Sequence, residues 1–452
     1  MLSRRQAVLT FGGIAATTAL ALTGCAPSVG GSTSGGGTKK ASQADIDKAL
    51  NTATTLTFWT WVPDIQKEID LFTAKYPKIT VKLVNTTGGA QHYPKLRSAL
   101  KAGKGIPDVA QMEYQNISSF TQTKSLADLA PYGAAAEESK YVDWVWKQVA
   151  YNGGVWGVPQ DTGPLGTLYR KDIFDKAGIS AVPETWDDFS KAAATIKSKT
   201  GSFITNVPTS DAAHWYGFFW QAGAKPFSFD GKKTVSIDLD SADTQKVVDL
   251  WQPLIQKGYV STDADFTDEF YQGLSRGKYA SWIVAAWGPI FLQGTAKNTS
   301  GKWRAGNIPQ WSAGANVSGN WGGSTDAVME ASQNKLVAYE FAKFLNTNKE
   351  SALKLANEQF LFPPTKATLA DSAFTDQKSE FYGGQQVNKF FAGVSDTVDK
   401  DFQWLPFMDY VNSSFTDTLG KAVAAHGDLR AGLKLWQSQV VTYAKQQGFT
   451  VK

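Results

Sequence analysis

Two carboxylates stand at positions from which a side chain could act on a ligand, one at the end of a predicted strand and one beside the Gly- and Pro-containing run 163–166. Glu113 follows the apolar run 108–112, and Asp161 follows residues 158–160. A carboxylate can accept hydrogen bonds from hydroxyl groups through both of its oxygens. Together with Glu269, these residues could also supply the pair of carboxylates, roughly 5 to 9 Å apart, that a glycoside hydrolase needs. Hydroxyl binding, glycoside hydrolysis and an ordinary surface or salt-bridging role all remain open for them.

Aromatic side chains are the second group that could contact a ligand. The chain contains 16 Trp, 15 Tyr and 26 Phe, and many tryptophans have Gly, Pro, Asp or Asn as neighbours, which is typical of loops and element ends. A ring held beside a cleft offers a flat face to the C–H face of a sugar, while polar neighbours bind its hydroxyls. We expect about a third of the tryptophans to touch a ligand and the rest to pack in the core. The candidates at element ends are Trp59, Trp61, Trp156, Trp287 and Trp321.

Several other chemistries find little support in the sequence. The 45 Lys and Arg nearly balance the 41 Asp and Glu, so no concentrated basic face for nucleic acid is expected. His92, His214 and His426 stand apart, and the chain has a single cysteine, so we predict no metal site, no disulfide and no cofactor. Neither a nucleophile elbow nor a phosphate-binding loop is found.

The single cysteine, Cys25, closes the run Leu-Thr-Gly-Cys after an apolar stretch and the pair Arg4 and Arg5. A charged start, an apolar core and small residues predict a signal peptide over residues 1–24. The run resembles the bacterial lipobox, which implies that the thiol of Cys25 carries a lipid anchor. The Gly, Ser and Thr that follow predict a flexible linker over 25–45, with the folded part beginning near 41–46. The arginine pair leaves twin-arginine and general secretory export both open.

The elements that must position these residues alternate in type. Short apolar runs at 55–58, 79–84 and 108–112 predict strands, and the apolar spacing of 63–76 and 93–101 predicts helices between them. This alternation favours a parallel sheet, whose ligands bind at the carboxyl ends of the strands. By that rule the residues that line a crevice are Trp59, Trp61, Glu113 and Tyr114. The roughly 400 residues after the linker favour two lobes.

Several different short motifs are distributed along nearly all of the chain after the linker. They are Phe58-Trp59, 105–109 (Gly-Ile-Pro-Asp-Val), 168–174 (Leu-Tyr-Arg-Lys-Asp-Ile-Phe), Ala177-Gly178, 183–189 (Pro-Glu-Thr-Trp-Asp-Asp-Phe), 277–280 (Gly-Lys-Tyr-Ala), 322–324 (Gly-Gly-Ser) and 339–345 with Glu340-Phe341. In order and spacing they resemble extracellular solute-binding protein family 1, the maltose-binding type of carbohydrate receptor lipoprotein that serves an ABC importer. Thr185 in the fifth motif is well placed to cap a helix that begins near Trp186.

The resemblance implies a two-lobe periplasmic-binding-protein fold of type II, an α/β fold in which each lobe is a mainly parallel sheet flanked by helices. The implied N-terminal lobe covers 46–163 plus 304–345, and the C-terminal lobe covers 167–303 plus 346–452. Crossing segments near 163–166, 307–310 and 345–348 would form the hinge.

The resemblance also implies ligand contacts and partners. The implied sugar contacts are Trp59, Trp61, Glu113, Tyr114, Asp161, Trp287, Trp321, Trp404 and Tyr410. Ala285 and Ala286 stand where the maltose-type pattern has Asn-Gly, and Met112 also departs from it, which argues against maltodextrin. Several stacking rings favour a di- or oligosaccharide.

The protein is therefore expected to be a monomeric, non-enzymatic receptor that hands its sugar to the transmembrane subunits of a permease. The lipid anchor would hold it at the outer face of the bacterial plasma membrane. Receptors for a polyol or a glycerophosphodiester, and a lipid-anchored glycoside hydrolase, remain as alternatives. Arg170, Arg276 and Arg304 are not clustered in the sequence, and a phosphate site would call for clustered arginines.

Overall fold

The computed structural model describes residues 40–86 and 88–452. Residues 40–452 form one compact unit. The predictions for the signal peptide, Cys25 and most of the linker lie outside the described residues. In the part of the chain that is described, no helix has the length and apolar character needed to cross a membrane.

The secondary structure is mixed. The strands are β1 (Thr54–Thr60), β2 (Ile79–Asn85), β3 (Val109–Glu113), β4 (Ala150–Tyr151), β5 (Gly154–Val155), β6 (Val158–Arg170), β7 (Phe227–Phe229), β8 (Thr234–Ile237), β9 (Ser281–Ala285), β10 (Trp303–Asn307), β11 (Asn320–Val328) and β12 (Thr450–Val451). The helices are α1 (Gln43–Leu50), α2 (Gln66–Lys75), α3 (Gly88–Ala102), α4 (Tyr114–Gln122), α5 (Asp143–Val149), α6 (Lys171–Ala177), α7 (Trp186–Thr200), α8 (Ala212–Gln221), α9 (Ala242–Gln256), α10 (Asp268–Arg276), α11 (Gly288–Thr295), α12 (Lys335–Thr347), α13 (Lys349–Asn357), α14 (Lys366–Leu369), α15 (Ser372–Thr375), α16 (Val387–Ser395), α17 (Met408–Asp417), α18 (Leu419–Ala424) and α19 (Leu429–Gln446). Short 3-10 helices cover Ala130–Tyr132, Ala134–Lys140, Lys297–Thr299 and Glu380–Tyr382.

Local sequence signals explain several helix starts. The Ser42 side chain accepts a hydrogen bond from the backbone N–H of Asp45, whose own side chain accepts one from the backbone N–H of Ser42, and this capping box starts α1. Thr185 accepts from the N–H of Asp188 at 3.2 Å, so the predicted cap of α7 is confirmed. The helix predicted over 93–101 begins earlier, at Gly88, and carries Pro94 inside it.

One large sheet organises the chain in the order β10-β6-β11-β3-β1-β2, with β9 also paired to β6. β1 is parallel to both β2 and β3, as the alternating pattern predicts. The pairings of β6 with β9, β10 and β11, and of β11 with β3, are antiparallel. The mainly parallel character predicted for both lobes therefore describes the β1 end, whereas the β6 end is antiparallel because its neighbours run back against one long strand.

The strand β6 connects the two ends of this sheet. Its first half pairs with β11, from Val158 to Pro164, and its second half pairs with β9 and β10, from Leu165 to Arg170. The change of partners falls within the predicted crossing segment 163–166. β10 pairs with residues 166–170, all in the second half of β6. This pairing does not favour the prediction that the N-terminal lobe resumes at residue 304, and that boundary stays a prediction.

Large aromatic residues fill the core. Seven tryptophans are almost completely buried: Trp144, Trp215, Trp220, Trp251, Trp282, Trp303 and Trp436. In all, 11 of the 16 tryptophans are buried, whereas the expectation that about a third touch a ligand stays a prediction. Arg170 is also buried and donates two hydrogen bonds to Asp172, at 2.8 and 2.7 Å, so this motif pair has an architectural role.

β6 and β11 approach each other so closely at Gly163 that a side chain does not fit. A Cβ atom there would lie 1.9 Å from the carbonyl oxygen of Trp321. We therefore expect Gly163→Ala to force the strands apart and to lower the free energy of unfolding by about 2 kcal/mol or more, measured by denaturant titration. Gly393→Ala is the matched control, since Gly393 is exposed in α16 with open space around it. Equal stabilities of the two variants would contradict the close approach.

Candidate functional site

The carboxyl ends of β1 and β3 bring the first predicted residues together. Trp61 follows β1 and Glu113 ends β3, and because the two strands are parallel these ends share one sheet edge. Gln111 fixes this edge: its Oε1 accepts from the Thr60 hydroxyl at 2.7 Å and from the Trp61 backbone N–H at 3.0 Å. Trp61 remains half-buried, with its ring edge-on to His92 at 5.1 Å.

Glu113 is held by a tyrosine. The Tyr93 hydroxyl donates to Oε2 of Glu113 at 3.1 Å and accepts from the Glu113 backbone N–H at 2.9 Å. Burial, with a smaller contribution from the negative charges of Asp161, Asp211 and Asp409, raises the pKa of Glu113 to about 7, although the hydrogen bond from Tyr93 lowers it. These carboxylates therefore surround one region.

Asp161 lies on the crossing strand β6 and is 8% exposed. The Ser324 hydroxyl donates to its Oδ1 and accepts from Gln111 Nε2 at 3.0 Å. Burial raises the pKa of Asp161 to about 6, although the bonds from Ser324 counteract this. Gln111, Ser324 and Asp161 thus form a buried polar chain that links the end of β1 to both crossing strands.

A group of aromatic rings, here called the ring cluster, consists of Phe266, Trp287 and Trp321. The Trp287 Nε1 donates to the Trp321 carbonyl at 3.0 Å, and the two rings meet edge to face at 5.0 Å. Phe266 is 44% exposed and lies 6.0 Å from Trp287 and 5.6 Å from Trp321. Trp321 itself is buried against the ring of His214, stacked at 4.1 Å.

Two further carboxylates lie beside the ring cluster. Asp211 caps α8 by accepting from the N–H of Ala213 at 2.8 Å and of His214 at 3.3 Å, and its side chain also interacts with Trp321. Burial raises the pKa of Asp211 to about 6. Burial and the charge of Asp211 raise the pKa of Asp265 to about 7.

The site therefore combines flat apolar rings with carboxylates that can accept hydroxyl hydrogen bonds. Sequence reasoning missed Asp211, Asp265 and Phe266. The pattern of an aspartate just before the apolar helix α8 is a readable cap signal for Asp211. The position of Phe266 depends on a backbone φ of 57°, which the sequence does not indicate for a bulky residue.

The comparison with protein families decides the wider relationship. The family model of bacterial extracellular solute-binding proteins matches residues 59–352, more than half of the chain. The chain belongs to this family. As a member, this solute-binding protein acts outside the cytoplasm.

Individual relatives agree with this assignment. The solute-binding protein is 26% identical over 378 residues to an arabinooligosaccharide-binding protein of Halalkalibacterium halodurans, covering 78% of this chain and 81% of that one. It is 27% identical over 389 residues to a lactose-binding protein of Rhizobium radiobacter, covering 82% and 87%.

A solved structure confirms the fold. The ABC transporter associated binding protein of B. animalis subsp. lactis Bl-04, in complex with beta-1,6-galactobiose, is 30% identical, with a TM-score of 0.77. The match covers 89% of this chain and all of that one. The predicted two-lobe α/β fold of type II is thereby confirmed.

Other predicted contacts of the solute-binding protein have different surroundings. Tyr114 is 2% exposed, and its hydroxyl donates to the Asp161 carbonyl at 2.9 Å, so it stabilises the crossing strand β6. Trp59 is buried, with the Lys95 ammonium 4.5 Å from its ring.

Trp404 donates through Nε1 to Gln148 Oε1 at 2.6 Å and lines a separate cavity of about 330 Å³. Tyr410 stacks on Tyr443 of α19 at 3.7 Å. Glu269 is exposed at the start of α10. Among residues 40–86 and 88–452, no group of three or more His, Cys, Asp or Glu is arranged to hold a metal ion.

The raised pKa values predict how stability depends on pH. Glu113, Asp265 and Asp326 have pKa values of about 7 in the folded protein, above the 4.5 of Glu and 3.8 of Asp, with burial as the first cause. The folded state therefore binds more protons than the unfolded chain, and this contribution to stability is lost as the pH rises through 7. His92 and His214, whose pKa values burial lowers to about 4 and 3, act in the opposite sense, mainly below pH 6.5.

We expect the melting temperature of the ligand-free protein to fall by a few degrees between pH 6 and pH 8. Glu113→Gln should reduce this slope, because it removes one of the titrating groups. Glu138→Gln, at an exposed position, is the control and should leave the slope unchanged. A melting temperature that rises steadily over this range would refute the assignment of protonated buried carboxyls.

Proposed function

We propose that this protein captures a sugar, most favourably a di- or oligosaccharide, in a cleft between two closing lobes and delivers it to the permease of an ABC transporter. The observation that carries the proposal is the ring cluster of Phe266, Trp287 and Trp321 beside Asp211 and Asp265, with Glu113 within electrostatic reach of Asp211. The sugar-binding names of its relatives point in the same direction.

The geometry suits a sugar for a physical reason. A pyranose or furanose ring has apolar C–H faces and a rim of hydroxyl groups. Trp287 and Phe266 offer the partly exposed faces that such a ring can stack on. Glu113 and Asp211 offer acceptors for hydroxyl groups, and a site built around such acceptors rejects analogues that lack the hydroxyls.

Transport rather than hydrolysis accounts better for the carboxylates. Asp161 already accepts a hydrogen bond from Ser324 and is buried on the crossing strand β6, so it does not offer a free nucleophile. Glu113 is bonded to Tyr93. We propose that the protein is a monomeric receptor without catalytic activity, and recovery of a bound sugar intact after long incubation is the test of that part.

Lobe closure would provide the signal for the permease. A sugar that touches groups on both lobes binds the closed state more tightly than the open state, so it shifts the population toward closure. Glu113 lies on the β1 end of the sheet, whereas Trp287 follows β9 at the β6 end. A ligand that contacts both residues would therefore link occupancy of the sugar site to closure of the lobes.

Trp287 is the most direct target for a test. Trp287→Ala should weaken sugar binding by about 1.5–3 kcal/mol, roughly 10- to 150-fold in Kd, because it removes a stacking face from the cleft. The measurement is isothermal calorimetry with sugars that stabilise the protein in a thermal-shift screen. Trp156→Ala is the matched control, since Trp156 is also half-buried and also donates through Nε1 to a carbonyl, that of Tyr151 at 3.1 Å.

The Trp156 variant should bind sugar as tightly as the unmodified protein. An unchanged Kd for Trp287→Ala, with the fold intact, would remove this residue from the site. A screen in which polyols or phosphodiesters stabilise the protein and sugars do not would overturn the proposed ligand class.

We also propose that Cys25 carries a lipid and that the segment from Cys25 to residue 39 tethers the folded body, which begins at Lys40 rather than after residue 45, to the outer face of the plasma membrane. The support is the sequence pattern around Cys25 and the start of the first helix at Gln43. Two or more acyl chains hold a protein on a membrane for long times, because each buried methylene contributes about 0.8 kcal/mol.

Labelling with palmitate tests the anchor. The unmodified chain should incorporate the label in its bacterial host, and Cys25→Ala should incorporate none, because the alanine has no thiol to acylate. Ser28→Ala, three residues along the same segment, should be labelled like the unmodified chain. Label in the Cys25→Ala protein would show that the lipid is attached elsewhere or is not covalently bound.

A further inference from the structure

A second concave region adjoins the ring cluster at Trp287. It is a cavity of about 620 Å³ whose wall includes Trp287 and the α11 residues Pro289, Ile290 and Gln293. A second wall is formed by residues from the stretch 356–362, at the end of α13 and beyond it, and residues from the stretch 374–388 complete the lining. This volume falls in the range of about 300–1,000 Å³ that is usual for small-molecule sites.

The two walls are attached to different parts of the fold. α11 follows β9, which pairs with the second half of β6. α13 packs on α2, which follows β1, and the Lys67 ammonium of α2 lies 2.8 Å from the carboxylate of Glu358 at the end of α13. Elements attached to both ends of the large sheet therefore contribute to the cavity. The same holds for the proposed sugar site, where Trp287 lies at the β6 end and Glu113 at the β1 end.

An exposed phenylalanine in a costly backbone conformation lines this cavity. Phe360 is 43% exposed and has a φ of 60°. Positive φ is uncommon for bulky residues, and such conformations are concentrated at ligand sites and switch regions. Phe266 of the ring cluster has the same two properties, with 44% exposure and a φ of 57°. Trp287 contacts Phe266 and shares the cavity wall with Phe360, so the exposed rings continue from the cleft into the cavity.

Polar side chains also belong to this lining. Asn357 is part of the wall, although its Oδ1 is itself shielded from solvent. Gln293 and Gln377 add amide groups to the lining. Lys297, Lys378 and Glu380 add charged groups. Amide, ammonium and carboxylate groups can all hydrogen-bond hydroxyls, so an exposed aromatic face among them repeats the chemistry that suits a sugar ring.

We propose that this cavity binds additional rings of a linear oligosaccharide whose first rings lie beside the ring cluster, with Phe360 as the stacking platform. The inference rests on the proposed function and deepens it: the preferred cargo has three or more sugar rings. Trp287 separates the two regions and contacts the chain as it passes from one to the other.

The test compares ligand length with the full-length protein in detergent. The probes are arabino-oligosaccharides and β-1,6-galacto-oligosaccharides of two to five rings, measured by calorimetry. In the series that binds, affinity should rise at least about tenfold from two to four rings. Phe360→Ala should remove this gain and leave the Kd of the disaccharide unchanged.

Phe291→Ala is the matched control. Phe291 is 48% exposed and lies edge-on to Trp287 at 5.8 Å, but it is not part of the cavity wall. This variant should keep the gain from added rings. A second variant, Gln293→Trp, fills the cavity from an exposed helical position and should also remove the gain, which covers the case in which Phe360→Ala does not fold.

The outcomes separate the inference from the proposed function. If disaccharides bind and longer chains bind no more tightly, the inference falls and the proposed function stands. The inference also falls, and the proposed function again stands, if Phe360→Ala weakens the binding of two-ring and four-ring sugars equally. If neither these series nor any other sugar of the thermal-shift screen binds, the sugar receptor proposal fails and takes the inference with it.

Discussion

The close contact of the two crossing strands is the constraint on which the rest of the structure depends. β6 and β11 meet where Gly163 faces the carbonyl of Trp321, and Gly323, at a φ of 97°, leaves room for Tyr114 and the Asp161 carbonyl. With the strands at this distance, Ser324 reaches Asp161, and the carbonyl of Trp321 receives the indole N–H of Trp287. The two glycines thus allow the Asp161 carboxylate to bind β11 at Ser324 and the Trp287 ring to bind it at Trp321, three residues away.

Burial of the carboxylates divides them into two kinds. Asp326, completely buried, accepts from Gln160 at 3.0 Å and from Asn346 at 2.8 Å, and Asp161 accepts from Ser324. A buried carboxyl costs free energy unless it is hydrogen-bonded, so these contacts hold the crossing strands. Glu113 has only the tyrosine and a long contact from Asn116 at 3.5 Å among the described side chains. It keeps acceptor capacity that a ligand can use.

Periodic and capping signals in the sequence were sufficient for much of the framework. The parallel β1 and β3 and the cap at Thr185 are readable from the sequence, because each depends on neighbours in sequence or on one strong residue preference. The crossing near Gly163 is implied by the resemblance to the family rather than by local signals, and it stays a prediction. The helix α3 was predicted too short, since Pro94 indicates a helix start although the helix runs through it. Asp211 and Phe266 come from distant segments, and their approach to Trp287 and Trp321 follows from tertiary packing that local patterns do not encode.

The irregular part of β11 lies where a closing movement of the two lobes would require the backbone to bend. The register between β11 and β6 shifts on both sides of the pair Gly323 and Ser324, and Gly322 and Gly323 have φ values of 80° and 97°. Regular pairing resists bending, whereas a bulge with glycines tolerates changes of φ and ψ at lower cost. Trp321 stands before this stretch and Ser324 after it. In the proposed closure, bending here would move the ring cluster relative to Asp161 and Glu113 while leaving the flanking pairs intact. A sugar bound between rings and carboxylates would then oppose the reverse movement, which is how a small ligand can hold a large body closed.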